Sequence, residues 1–293
     1  MLRLLVLCAA LLPAHAARAA EVKVAQTGDR IEIQIAGRPF TAFFTGPDAP
    51  KPYLHPLRSA SGKIVTRSFP MEKLPGESTS DQHHRGVWLG FKLVNGFNFW
   101  ENEFSYHDPK AGKVVTQSIG EIHSGADSGS VHATFRWLSP SGQPILEETR
   151  TMVFRGDAKD GAFCVRLAEP LIEKNGGVIV NSAGGRKMAQ TWGQPASWVD
   201  YSGTVEGEKL GVALFEHPSS FHHPSRWHVR DYGLLAVNPF GAQAFDKQLP
   251  DATFTLPEGQ SIHLRYRIVI HPAMEPAQIE NLYRQFAEFD PHP

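Results

Sequence analysis

Asp81-Gln82-His83-His84-Arg85-Gly86-Val87-Trp88-Leu89-Gly90-Phe91-Lys92-Leu93-Val94-Asn95-Gly96-Phe97-Asn98-Phe99-Trp100 is the stretch from which the rest of the chain can be read. Val87, Leu89, Phe91 and Leu93 alternate with Trp88, Gly90 and Lys92, the period of a half-buried strand. Asn95-Gly96 between two apolar runs is a strong short hairpin signal, so Phe97 to Trp100 reads as the return strand. An acid, two adjacent histidines and an arginine stand at the mouth of this strand. His83 and His84 can face one pocket only if Asp81 to Gly86 is a loop, because neighbours on a strand point to opposite faces.

The same alternation recurs outward from this point. Ile31 to Ile35, Phe40 to Phe44, Val131 to Trp137, Ile145 to Phe154, Phe163 to Leu167, Val178 to Val180 and Gly211 to Phe215 all read as strands. Trp227 to Val237 reads as one more, and Ile262 to Ile270 as a long last one. Ser68 to Gln82, with Pro70, Pro75 and Gly76, reads as a long loop leading into the opening motif, and loops of that length are often functional. Only Pro276 to Phe289 has helical spacing, with Ile279, Leu282, Tyr283 and Phe286 on one face. The expectation is an all-β fold, a large antiparallel β-sandwich with one C-terminal helix, forming a single domain over 21–293.

Residues 1–20 read as a secretory signal peptide, with a basic start, an apolar run from Leu4 to Leu12, and small-residue cleavage sites near Ala16 or Ala19. The expected location is therefore periplasmic or secreted. Cleavage leaves Cys164 as the only cysteine, which excludes an intramolecular disulfide and thiolate metal sites. Twenty-nine basic residues nearly balance thirty acidic ones without a Lys/Arg block, which argues against nucleic acid and membrane as partners. G-x-S-x-G, phosphate-loop, dinucleotide and H-E-x-x-H motifs are absent.

What remains are polar clusters at strand ends. The second, beside the opening one, runs through Glu216-His217-Pro218, His222-His223-Pro224 and Trp227-His228-Val229-Arg230-Asp231-Tyr232-Gly233. Its alternation puts His228, Arg230 and Tyr232 on one face, which cannot be an ordinary core face because those groups need partners when buried. Aromatic walls with His, Arg, Asp and Glu around them suit a polyhydroxylated ligand. Asp81, His83, His84, Glu216, His217 and His228 are the candidate proton-transfer groups. Arg67, Arg85, Asn95 and Arg230 are the candidate polar contacts, and Trp88, Trp100, Trp227 and Tyr232 the candidate walls. Asp81 with Glu216 is the carboxylate pair to measure for hydrolysis. The expectation is a site without cofactor; its alternative is a divalent metal on some of His83, His84, His217, His223 and His228.

These motifs resemble the family catalogued as "methane oxygenase PmoA"-like, whose function is unknown. Asp81 to Trp88 is similar to its D-x-x-H-H-R-G-[LV]-W hallmark, and Asn95-Gly96 with Phe99-Trp100 to its N-G-x-x-F-W. Tyr53, Pro56-Leu57, Gly62, Val65-Thr66-Arg67, Trp198 to Gly203, His217-Pro218 and Trp227 to Gly233 extend the likeness over most of the mature chain. Gln82 stands where the pattern leads one to expect Pro, and Glu216 where one expects Asp. The resemblance implies an exported protein that accompanies sugar processing and a galactose-mutarotase-like supersandwich. Membrane methane oxidation is not expected, since no later stretch reaches the roughly 18 apolar residues of a spanning helix. The leading expectation is a carbohydrate-active enzyme (epimerase, lyase or hydrolase) acting on a small-molecule or oligosaccharide substrate, with a non-catalytic glycan-binding module as the alternative.

Overall fold

Period-two alternation becomes sheet wherever a neighbouring strand is long enough to pair with it. The computed structural model describes residues 20–155, 164–251 and 253–289; the expected leader, apart from Ala20, and Phe163 lie outside them. In chain order the strands are β1 Val22–Thr27, β2 Arg30–Ile35, β3 Arg38–Phe44, β4 Tyr53–His55, β5 Val87–Trp88, β6 Lys113–His123, β7 Ser128–Leu138, β8 Pro144–Arg155, β9 Cys164–Arg166, β10 Val178–Asn181, β11 Trp198–Val205, β12 Glu208–Glu216, β13 Arg226–Arg230, β14 Leu234–Asn238 and β15 Tyr266–Pro272. They form an eight-stranded sheet in the order β1-β2-β3-β4-β5-β9-β14-β13, a four-stranded sheet β10-β11-β12-β15 and a three-stranded sheet β6-β7-β8. The pairings within these sheets are antiparallel. The fold is all-β, as expected.

One apolar core is shared by all three sheets. Leu54, Val87, Val165, Val229 and Leu235 come from the large sheet, Val131, Phe135 and Trp137 from the three-stranded one, and Val199, Val212 and Leu214 from the four-stranded one. Tyr201 ties two of them by donating its hydroxyl to the carbonyl of Arg230. The C-terminal helix, Pro276–Glu288, covers the other face of the four-stranded sheet, where Ile279, Tyr283 and Phe286 pack with Trp198, Ala213 and Phe215. Gln278 Oε1 accepts the Glu275 N–H at 2.9 Å and closes the first turn. Two short helices, α1 Lys187–Thr191 and α2 Ala242–Phe245, precede it as α3 and were not foreseen. No helix of the described residues is long and apolar enough to cross a membrane.

Four expected strands are corrected. Val87 to Leu93 pairs only at Val87–Trp88, because its neighbours β4 and β9 are three residues long; Leu93 is exposed. The Asn95-Gly96 hairpin is present as a stub, with φ of 50° and 81° at its centre and one bridge from Val94 to Phe97. Trp227 to Val237 is not one strand but the hairpin β13–β14, folded back at Gly233 with φ of 90°. The last strand begins at Tyr266, since its partner β12 ends at Glu216.

Candidate functional site

Two rows of side chains cross the face of the large sheet that points away from the shared core. Tyr53, Trp88, Cys164, Ala236 and His228 are successive cross-strand partners, and Arg166, Leu234 and Arg230 form the next row. Trp88, Cys164, Leu234 and Ala236 pack as a separate cluster with Trp100 and Tyr232 partly buried against it. Small groups at Cys164 and Ala236 therefore lie between Trp88 and His228. The alternation that buries Val87, Val165 and Val229 in the core leaves this row facing outward.

The histidine pair is mounted on a loop, as its shared orientation requires. Arg67, fully buried, donates to the carbonyls of Ser78 (3.3 Å), Ser80 (2.7 Å), Asp81 (2.8 Å) and His84 (3.3 Å). Asp81 and Gly86 both turn with positive φ, and the His84 N–H closes on the Asp81 carbonyl at 3.0 Å. The ring centroids of His83 and His84 are 4.1 Å apart, and a carboxylate oxygen of Asp81 and one nitrogen of each ring lie within 4.8 Å of one another. His84 stacks on Trp88 at 5.1 Å with an interplanar angle of 22°, and Trp100 stands edge-on to both imidazoles. Tyr106 Oη lies 3.1 Å from His83 Nδ1. Neither ring nitrogen of the buried His84 has a hydrogen-bond partner.

A second loop, 98–112, brings Trp100 and Tyr106 to this place. Lys51, 1 % exposed, holds it by donating Nζ to the Trp100 carbonyl and to Asn102 Oδ1, both at 2.7 Å. Arg85 holds it again through a two-pronged pair with Glu103 at 2.8 and 2.7 Å. Both cations are committed to holding this loop, so Arg85 is not the ligand contact expected of it. The same holds for Arg67, the clamp of the histidine loop.

Burial dominates the electrostatics. It pushes the His83 imidazole down to about 3, with Lys51 acting in the same direction and Asp81 against it. Burial first, then His83 and Arg166, hold His84 further below the ordinary histidine range. Lys51 is pushed down to about 7 by burial, against the pull of Glu103. Cys164 is buried, and its thiol is raised to about 12 by burial, which suits a small apolar filler. Two neutral imidazoles beside a carboxylate can accept or relay a proton, or ligate a metal through their free lone pairs.

Of the expected residues, the structure brings together Asp81, His83, His84, Trp88 and Trp100, with Arg230 and Tyr232 on the same face. His228 shares that face, but it stands three strands from Trp88, about 14 Å at the usual spacing. It sits by Phe245, and burial with Arg230 lowers it to about 4. The rest of the second cluster does not join. Glu216, fully buried, accepts from Ser225 N and Oγ at 2.7 and 2.5 Å and faces His223 Nδ1 at 3.2 Å. By the alternation of β12 it lies on the core side with Val212 and Leu214, so it does not pair with Asp81. His217 packs against Phe286 of α3 at 5.0 Å, beyond the opposite face of the four-stranded sheet. His222 is exposed, near the Pro239 carbonyl. Trp227 is buried in the core and donates to the Ala196 carbonyl at 2.7 Å, so it is no stacking wall. Asn95 is exposed at a turn whose φ it satisfies.

Arg166, Tyr106 and Lys51 were missed. Arg166 was readable as an outward position two residues after Cys164; Tyr106 and Lys51 sit in loops with no period. Beyond the geometry, a family model described as "Family of unknown function (DUF6807)" matches residues 30–160 and 153–284. No curated protein and no solved structure matches the chain.

Proposed function

The chain belongs to this family of unknown function, so its activity is read from its own residues, and we propose that it is an exported carbohydrate-active enzyme. The catalytic groups are His84, His83 and Asp81, with Tyr106 beside His83. One observation carries this: His84, buried between Trp88 and Trp100, keeps both ring nitrogens without a partner next to a second imidazole and a carboxylate. A buried polar group left without partners costs stability, and such groups concentrate where a ligand completes them. His84 is neutral and accepts a proton from the sugar, Asp81 stabilises the imidazolium that forms, and the His83–Tyr106 pair returns a proton to the opposite side. The face of Trp100 takes the C–H face of the sugar, with Tyr232 at the edge of the site.

The leader expected at the N-terminus is the basis for export to a periplasm or the outside. The long motif resemblance favours kinship with the methane oxygenase PmoA-like proteins, and the packing of one large sheet on two smaller ones favours a galactose-mutarotase-like supersandwich. Fold likeness of that kind does not by itself fix a reaction. A second reading has its own support: Asp81, His83 and His84 offer three ligand atoms within 4.8 Å, a set that suits a divalent transition metal. His217, His223 and His228 do not contribute to that set.

The test is a panel of mono- and oligosaccharides followed by NMR with the full chain and with His84→Asn. Spectral conversion that the variant abolishes supports the enzyme. Binding without conversion, unchanged in the variant, makes the protein a glycan-binding module instead. Stoichiometric Zn, Cu or Fe in protein purified without added metal turns the proposal toward the metal reading.

A further inference from the structure

Two guanidinium groups reach one aromatic ring. Arg166 and Arg230 flank Leu234 in the same row of the outer face, and their Cζ atoms lie 4.5 and 5.7 Å from the centroid of Tyr232. Arg67 is close enough for the charge of Arg166 to act on it. Arg166 is 1 % exposed, and its Nε and Nη1 have no hydrogen-bond partner; neither has Nε of Arg230. No carboxylate among the described residues lies within ion-pair distance of either side chain.

The nearby acids are engaged elsewhere. Glu77 accepts the amides of Ser68 and Phe69, and Glu169 accepts the amide of Ser78 and faces Lys174 at 3.6 Å. Asp81 is the carboxylate whose charge reaches both Arg166 and Tyr232, and it also belongs to the histidine cluster. Asp81 and Glu169 act on Arg166 only from beyond ion-pair distance, so neither satisfies its N–H groups. Contact with the Tyr232 ring orients the guanidiniums but leaves Nε and Nη1 of Arg166 and Nε of Arg230 without a partner. Like charges gathered in a poorly solvated place favour an anion that spans them.

We infer that the sugar taken by this site carries a carboxylate, received by Arg166 and Arg230 beside Tyr232; this rests on the enzyme reading proposed above and names its substrate class. The planar fork of each guanidinium matches a carboxylate in two-pronged geometry. A uronate places that group on the pyranose ring itself, so the ring stays against the aromatic walls while the acid points to the arginines. A neutral hexose would offer these donors a hydroxyl oxygen, without the charge or the two-pronged geometry of a carboxylate.

The experiment titrates the full chain with glucuronate and galacturonate, with glucose and galactose as their neutral counterparts, and with glucose 6-phosphate. Each uronate is expected to bind at least about tenfold more tightly than its neutral counterpart, the effect of one charge-assisted contact. Arg230→Gln, with an unchanged unfolding transition, removes most of that preference, and Arg230→Lys keeps part of it. Arg166→Gln provides the second variant if one of them fails to fold. Neutral sugars binding equally well, the phosphate binding more tightly than the uronates, a preference that survives both glutamine variants, or no uronate binding would each overturn the inference. A uronate bound through these arginines but never converted sinks the acid–base enzyme and leaves the inference standing. Conversion of neutral sugars without charge preference does the reverse.

Discussion

His84 lies over Trp88, four residues further along the chain, with ring centroids 5.1 Å apart and planes inclined by 22°. Trp88 is fixed from below as part of the sheet, paired to Tyr53 and Cys164. No side-chain hydrogen bond fixes the imidazole, so its position depends on this stack and on the backbone clamp that Arg67 applies to the His84 carbonyl. Ring nitrogens that no protein group holds are left for chemistry, while the rest of the ring is held by packing.

Arg67→Lys is therefore expected to damage the site without touching a ligand. A planar guanidinium reaches carbonyls of Ser78, Ser80, Asp81 and His84 at once, and an ammonium cannot reproduce that fork. The cost is about 2–3 kcal/mol, the scale of losing hydrogen bonds from a buried charge. Urea unfolding and amide exchange over residues 78–84 measure it. Full stability with unchanged exchange would show that Arg67 is not the clamp.

The Arg85–Glu103 pair is buried, with side chains 14 % and 5 % exposed. Breaking it with Glu103→Gln leaves a cation without its carboxylate and is expected to cost about 3–5 kcal/mol. Removing both charges in Arg85→Met with Glu103→Leu recovers a large part of that loss, because neither charge is then desolvated. A double-mutant cycle by urea unfolding reads the coupling. A double variant as unstable as the sum of its singles would contradict a direct pair.

Much of this arrangement was legible because it follows period two. Val131, Ala133, Phe135 and Trp137 are all buried in the core, as their alternation requires. On β13 the split between Trp227 with Val229 and His228 with Arg230 was also readable. The alternation that sorted them placed Trp227 inside, although its residue type suggested a wall. Glu216 and His217 misled for a different reason: density of polar residues along the chain does not say which face of which sheet they meet. Lys51 had no signal, since it lies among prolines and its role comes from a loop fifty residues later.

Gly86 must remain glycine for two separate reasons. Its φ is 51°, and a Cβ built there would stand 2.2 Å from the carbonyl oxygen of Leu54. The oxygen belongs to the neighbouring strand and cannot retreat without parting β4 from β5. Gly86→Ala is expected to cost about 3 kcal/mol or more, combining strain with the clash. Gly62→Ala is the control: φ is 91° with nothing within 4 Å of the added carbon, so only the backbone cost of about 1 kcal/mol applies. Equal losses in the two variants would refute the close approach at Gly86.

Acid should weaken the fold through the same histidines that make the site. His83 falls from an ordinary 6.5 to about 3 on folding, and His84 shifts in the same direction, both chiefly by burial. Above pH about 6.5 both states are neutral at these rings and the contribution is fully present. As pH falls toward 3, the unfolded chain takes up protons that the folded one refuses, so stability declines across that window; below the folded value the loss levels off. Each such histidine accounts for about 2 kcal/mol between pH 6.5 and 5. His55 and His228, both lowered to about 4, add losses of the same sign. His271 acts oppositely, because Asp200 raises it: its contribution is present in acid and fades as pH rises through its folded value. Urea midpoints measured from pH 7.5 to 4.5 are expected to fall, and His84→Asn to fall less steeply than the parent. A parent whose midpoint holds or rises toward pH 5, or a variant with the parent's slope, would mean that His84 is not kept neutral by burial.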